Sequence, residues 1–320
     1  MIKSRVCSIA VVIIVAFAIS TYIYYQPYSL KFLKNVNLVN LIFLIMIRIL
    51  FQVVNGLLLR EFASKFETFL KPKEWFGLSI VTTMGNYISP FSGGMLARAA
   101  YLKHRHAFPY TQFASLLAAS YLIYFGAIGV VGFITVIISG EALAFYWQMV
   151  SFWVGVILII STFIILPTKR FPWNNRLTNI INSSMNGWAF IQADKALLFK
   201  VAIYTLIGIF LNGLSFWIAF MALADFPISF GAVFLISLIS VFSILFNLTP
   251  SNFGIQEIII SLTSGIFGIG TGIGLMASLL IRIASLIPAF TLGPIFSFVL
   301  TSELTNNTRR NNNDNKRQRI

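Results

Sequence analysis

Apolar residues along this chain come in long blocks, and short polar or charged stretches separate them. Runs over 7–25, 36–59, 110–139, 146–166, 199–222, 228–248, 254–270 and 272–300 lie near or above the length of about 20 residues that a helix needs to cross a bilayer. This pattern predicts an all-α, polytopic membrane protein with about eight transmembrane helices. The stretch 75–104 is also apolar, but "NYISPFSGGMLAR" (86–98) interrupts it. Proline removes a backbone donor and stops a helix, while glycine permits tight turns. Broken backbone is tolerated in hydrocarbon only beside protein or a water-filled cavity. We therefore read 75–104 as a re-entrant pair of half-helices.

Two further stretches are not spans. In 174–198, Leu177, Ile181, Met185, Trp188 and Ile191 recur at three- and four-residue steps, as expected of an amphipathic helix on the inner surface. Residues 305–320, "TNNTRRNNNDNKRQRI", are polar, basic and low in complexity. This divides the chain into a membrane domain, 1–304, and a basic disordered tail, 305–320. "MIKSRV" followed by apolar residues to Tyr25 is read as an uncleaved first span, because the apolar run is too long for a signal peptide.

Composition fits this picture. Of 320 residues, 58% are hydrophobic and only 10% charged, against about 25% charged in soluble domains. The net charge of +14 sits in short loops and at the C-terminus. That is the distribution of cytoplasmic loops, not of a nucleic-acid surface. Lys3 and Arg5 place the N-terminus in the cytoplasm. So do Arg60, Lys65, Lys71 and Lys73 for one loop, Lys169, Arg170, Arg176 and Lys195 for another, and Arg309 to Arg319 for the tail. The loops at Glu141 and Asp225 carry no Lys or Arg and fall outside; Lys31 and Lys34 form the one exception. Cys7 is the single cysteine, so no internal disulfide forms.

The interruption has a partner. Asn86, Pro90, Gly93 and Gly94 mark the first break; Asn247, Pro250 and Gly254 mark the second. Paired Gly/Pro interruptions in two halves of a membrane chain point to a transporter-like site, although two ordinary loops at the inner interface would have the same spacing. Charge accompanies both breaks. Arg98 follows Gly94 by four residues, Glu257 follows Gly254 by three, and Arg48 and Arg282 lie deep in apolar runs. An arginine at the bilayer centre costs about 2.5–3.5 kcal/mol, so it usually faces the bundle interior. A helix N-terminus with Arg98 beside it suits a phosphate. Arg48 and Arg282 would line the path or make structural pairs. Glu257 would limit the positive charge or serve its helix N-terminus, and Asn86 and Asn247 would cap freed backbone groups. The bland reading of Arg98 is snorkelling to the interface.

Catalytic chemistry finds little support. The nine acidic residues form no pair at acid–base spacing. His104 and His106 flank Arg105 on different helix faces, which argues against a metal site. "GIGTGIG" (268–274) lacks the spacing of a nucleotide loop and is read as the turn between the last two spans; Gly126, Gly129 and Gly132 are read as helix-packing positions. No cofactor is expected.

Three segments together, "NYISPFSGGMLARAAYLKHRH", "NLTPSNFGIQEIIISLTSGIFGIG" and "ASLLIRIASL", resemble the transmembrane region of the lysylphosphatidylglycerol synthase family, also described as flippase-like. The resemblance covers roughly 30 to 300. It matches Asn86, Pro90, Gly93, Gly94 and Arg98, then Pro250, Gly254 and Glu257, then Arg282. Met95 stands where the family pattern has an acidic residue, and "LLAASYLIYFGAIG" lacks the arginine and aspartate often found there. Only a short tail follows residue 300, so the expectation is the membrane half without the aminoacyl transferase domain. The resemblance implies a non-enzymatic protein of a bacterial or archaeal cytoplasmic membrane. It would bind or translocate an anionic phospholipid or a lipid-linked sugar in envelope biogenesis, beside envelope-synthesis enzymes. The alternative is a membrane-embedded transferase or an accessory factor of glycolipid or polysaccharide synthesis.

Overall fold

Helix lengths decide how the chain is arranged. The computed structural model describes residues 36–89, 91–140, 145–165, 182, 188–246 and 249–317, except for the side chains of 163–165 and 305–317. The expected first span at 7–25 and most of the amphipathic segment lie outside the described residues. So do Pro90 and Asn247.

Helix α1 (Leu38–Lys65) opens with the Asn37 side chain accepting from the Val39 N–H at 3.2 Å. Its last residue, Lys65, donates to Asp194 at 2.9 Å. Asp194 also caps helix α6 (Lys195–Met221) by accepting from the Leu197 N–H at 3.0 Å. One carboxylate thus ties the end of α1 to the start of α6, and the two helices run antiparallel. We call this end of the bundle the base.

Helices α2 (Pro72–Ile88) and α3 (Gly93–His106) form an antiparallel hairpin that rises from the base. Proline at the first position and Glu74 bonding back to the Lys71 N–H, at 2.9 Å, start α2. At the tip, Phe91 and Ser92 take positive φ, and Gly85 packs directly on Gly94. The hairpin expected over 75–104 is therefore present. On α1, Gln52 accepts from Ser79 at 2.8 Å and Thr83 at 3.1 Å, which places the tip near the level of Arg48.

Helices α4 (Tyr110–Ser139) and α5 (Tyr146–Ile165) pack antiparallel. Gly132 lies flat against the Trp153 ring, and Gly129 against Val156 and Ile157. The small residues read as packing positions do pack.

Four helices, α1, α4, α6 and the 271–304 part of helix α9 (Thr271–Arg317), are long and apolar enough to cross a membrane. The described residues do not establish eight. The stretches read as spans at 228–248 and 254–270 take a different form. Helix α7 (Phe230–Ser240) starts at the far end of the bundle, where Phe230 meets Trp217, and continues as the 3-10 turn Val241–Phe246. Helix α8 (Ile255–Ile266) has 12 residues and rises about 18 Å, well short of a bilayer core of about 30 Å. It returns to the far end, where Gly268 and Gly270 turn the chain at positive φ into α9. The two stretches are the arms of a second hairpin, and the second Pro/Gly break is its tip. Both read as spans from composition because both are mostly apolar.

Helix α9 contains Pro288 and Pro294 and lies along α2. Phe76 meets Phe296, Tyr87 meets Phe290, and Lys73 pairs with Glu303 at the base. Its helical backbone runs on to Arg317, through the stretch expected to be a disordered tail.

Candidate functional site

The tip of the first hairpin is fixed by its own residues. The Asn86 side-chain oxygen accepts the Gly94 N–H at 3.0 Å, so Asn86 caps freed backbone. A Cβ on Gly94 would run into the Thr82 carbonyl oxygen and come within 2.8 Å of the Asn86 oxygen. Only glycine lets α3 start this close to α2. A Cβ on Gly93 would meet the Ser89 side chain.

That close approach sets Arg98, in the second turn of α3, against α2. Its Nε donates to Thr82 Oγ1 at 2.8 Å, and the Thr82 hydroxyl in turn donates to the Leu78 carbonyl at 2.6 Å. The guanidinium is thereby oriented through one nitrogen. Its two terminal nitrogens have no hydrogen-bond partner among the described residues and stay accessible. They belong to the wall of a cavity of about 280 Å³ between the hairpin, α1, α4 and α6. The remaining wall is apolar or uncharged, with Gln52, Asn55, Thr83, Asn86, Ser120 and Tyr124 as polar members. Arg98 is the single charged residue among those lining the cavity. Met95 is part of the wall, as is Ile244 from the second hairpin.

The second tip is built with the opposite electrostatics. Pro250 opens a short 3-10 turn in which Ser251 and Asn252 take positive φ, and Gly254 follows at φ 89°. Glu257, 1% exposed, accepts the Gly254 N–H with Oε2 at 2.6 Å and pairs through Oε1 with Arg282 Nε at 2.5 Å. Arg282 Nη1 also donates to the Ser251 carbonyl at 3.3 Å. Its guanidinium lies 5.1 Å from the Phe253 ring centre and 5.7 Å from that of Tyr87. Tyr87 belongs to the first tip, so the two breaks meet at Arg282. Arg282 sits eleven residues into α9, deep in the bundle. Neither Arg282 nor Glu257 lines the cavity.

Arg48, on α1, is the third of these arginines. It is 8% exposed and donates from Nη1 to the Asn212 side chain at 3.2 Å, while Nε and Nη2 are buried with no partner. Its guanidinium lies 5.9 Å from the Phe51 ring, which is part of the cavity wall. A buried cation without a counter-charge is costly.

At the base, Glu74 gathers the hairpin's two ends. Its Oε1 accepts from Tyr101 Oη at 3.0 Å and lies 3.0 Å from His106 Nε2 and 3.7 Å from Arg105 Nε. Burial pushes this carboxyl up, but hydrogen bonds from His106, the Lys71 N–H and Tyr101 outweigh it and hold the pKa at about 2. His106 is thus committed to a carboxylate, and no cluster of three metal-ligating side chains exists among the described residues.

A family model described as "Lysylphosphatidylglycerol synthase TM region" matches residues 6–293. The chain belongs to that family. No curated protein and no solved structure matches it. The family region takes in both hairpins, Arg48, Arg98 and Arg282, and stops near the end of the membrane domain.

Within this family member, the sequence singled out the residues that break and charge the backbone. It did not single out the wall that faces them. Ser79, Thr82, Thr83 and Asn86 recur along one face of α2, and Ser120, Tyr121 and Tyr124 along α4. The available signal was the helical spacing of hydroxyl and amide side chains inside apolar runs. In "LLAASYLIYFGAIG" the polar contribution comes from a serine and two tyrosines that line the cavity, not from charge.

Proposed function

We propose that this family member binds the phosphate of an anionic lipid in the cavity and passes the lipid between leaflets. The alternative cargo of the same chemistry is a lipid-linked sugar phosphate. One observation carries the reading. Arg98 presents two nitrogens, unpartnered among the described residues, to a cavity whose described lining holds no other charge, and a guanidinium offers phosphate a bidentate fork. Arg48, buried with two free nitrogens beyond Phe51, would be the next group to attract the anion. The base is the cytoplasmic side in this reading, because Arg60, Lys65, Lys71, Lys73 and Lys195 gather there. The membrane is the cytoplasmic membrane of a bacterium or archaeon, and the protein acts without a catalytic step.

Proteoliposomes carrying a fluorescent phosphatidylglycerol in one leaflet test the reading. The protein is expected to equilibrate the probe between leaflets unchanged. Arg98→Ala should abolish this, and Arg98→Lys should weaken it by about tenfold because the charge stays and the fork is lost. Transport by Arg98→Ala at the parent rate would overturn the proposal. Conversion of the probe to a new lipid when a donor substrate is added would favour the membrane-transferase reading.

A further inference from the structure

The cavity's charge pattern restricts the headgroup further. We infer that it takes a phosphate esterified to a neutral polyol, such as glycerol or a sugar, and discriminates against headgroups bearing an ammonium group. This rests on the reading that the cavity holds a lipid phosphate.

An aminated headgroup brings a cation that must lose water on entry, and such a group needs a carboxylate or a comparable partner. The cavity wall has none. Every buried carboxylate among the described residues is engaged elsewhere. Glu74 is held by Tyr101, His106 and Arg105, Glu257 by Arg282, and Glu303 by Lys73. Glu61 faces Lys200 and Asp194 faces Lys65, both at the base. Segments outside the described residues bring no remedy, since 1–35 and 166–187 contain no Asp or Glu. Glu141 follows α4 at the far end, and Asp314 lies in the tail. Among the described lining residues an ammonium would find only neutral oxygens and the aromatic side chains of Tyr121 and Tyr124, with Arg98 repelling it.

The same wall suits hydroxyl groups. Asn55 and Tyr124 can both donate and accept, as a polyol does, and Ser120, whose hydrogen goes to the Leu116 carbonyl, can accept. Gln52 uses its oxygen on Ser79 and Thr83, which fixes its amide and leaves the NH2 as donor. Phosphate to Arg98 and hydroxyls to these side chains would satisfy both partners.

Competition against fluorescent phosphatidylglycerol, with the full chain in nanodiscs, tests the assignment. Competitors are unlabelled phosphatidylglycerol, phosphatidylinositol, phosphatidylethanolamine and lysylphosphatidylglycerol, with soluble glycerol 3-phosphate alongside. The two polyol lipids are expected to compete at least tenfold better than the two aminated ones. Asn55→Asp, or Ser120→Asp if the first fails to fold, puts a carboxylate into the wall and should shrink that gap severalfold. Equal or tighter binding of the aminated lipids by the parent chain overturns the inference and leaves the lipid reading standing. Glycerol 3-phosphate competing as well as the lipid supports the headgroup assignment and overturns the lipid reading instead. No binding by any probe overturns both.

Discussion

The two breaks use one backbone device and differ in how they treat charge. Each is the tip of a hairpin, each relies on glycine, and each has an arginine beside it. At the second tip, Arg282 is closed into a pair with Glu257 and a bond to the Ser251 carbonyl. At the first, Arg98 meets only a threonine hydroxyl and keeps two nitrogens for something else. In the proposed reading, the difference separates structural charge from functional charge. An arginine whose counter-ion is built in holds helices together, and one without it waits for a ligand.

The sharpest way to break the comparison is to make the second tip resemble the first. Glu257→Gln leaves Arg282 buried without its charge partner, and losing one member of such a pair costs about 3–5 kcal/mol. The variant is expected to show a large drop in thermal midpoint in detergent and poor recovery from the membrane. Arg98→Ala should fold like the parent. Replacing both partners, as Glu257→Gln with Arg282→Met, should recover most of the lost stability. Equal thermal midpoints for Glu257→Gln and Arg98→Ala would end the distinction.

A smaller effect is expected from the first tip's geometry. Gly94→Ala places a methyl group against the Thr82 carbonyl oxygen, which is backbone and cannot swing aside. The hairpin must open, at a cost of about 2–3 kcal/mol, in the range of overpacked cores. Arg98 then loses its bond to Thr82, so lipid transfer should fall even where the protein still folds. Gly268→Ala is the contrast. Nothing lies within 4 Å of its Cβ position, and its positive φ alone would cost about 1–2 kcal/mol. Transfer should survive it. Loss of transfer in both variants to the same degree would mean that close packing at Gly94 has no special part in the site.

What the sequence disclosed follows from the kind of signal each feature leaves. Pro, Gly and Asn beside a charged residue rarely come together in an apolar run, so 86–98 and 250–257 stood out, as did the hairpin over 75–104. Depth leaves no such mark. The arms of the second hairpin are as apolar as any span, and only the 12-residue length of α8 and the contact of Glu257 with Arg282 reveal that the chain turns back. The cavity wall was also hard to read, because its members come from five helices, most of them distant in sequence. Gln52 and Asn55 could be placed on the face of Arg48 by periodicity. Their encounter with Thr83 and Tyr124 could not.

The smallest effect concerns the base of the first hairpin. Glu74 joins the start of α2 to the end of α3 through Tyr101 and His106, outside the helices long enough to cross the membrane. Its carboxyl is lowered from 4.5 to about 2 in the folded chain. A depressed carboxyl stabilises the fold fully above its unfolded pKa, and that contribution fades as pH falls through the folded value. The window is therefore pH 4.5 down to about 2, with no change expected between pH 5 and 7 from this group. Glu74→Gln keeps an oxygen to accept from Tyr101 and loses the charge, so about 1–2 kcal/mol should disappear at pH 7. The parent should lead the variant in thermal midpoint by a constant margin above pH 5, and the margin should close toward pH 2. Lipid transfer should change little, since Glu74 is not part of the cavity wall. A margin that stays constant from pH 5 to pH 2 would mean that Glu74 does not work as a charged latch. The hairpin base would then be held by packing of Leu102, Phe108 and Leu78 alone.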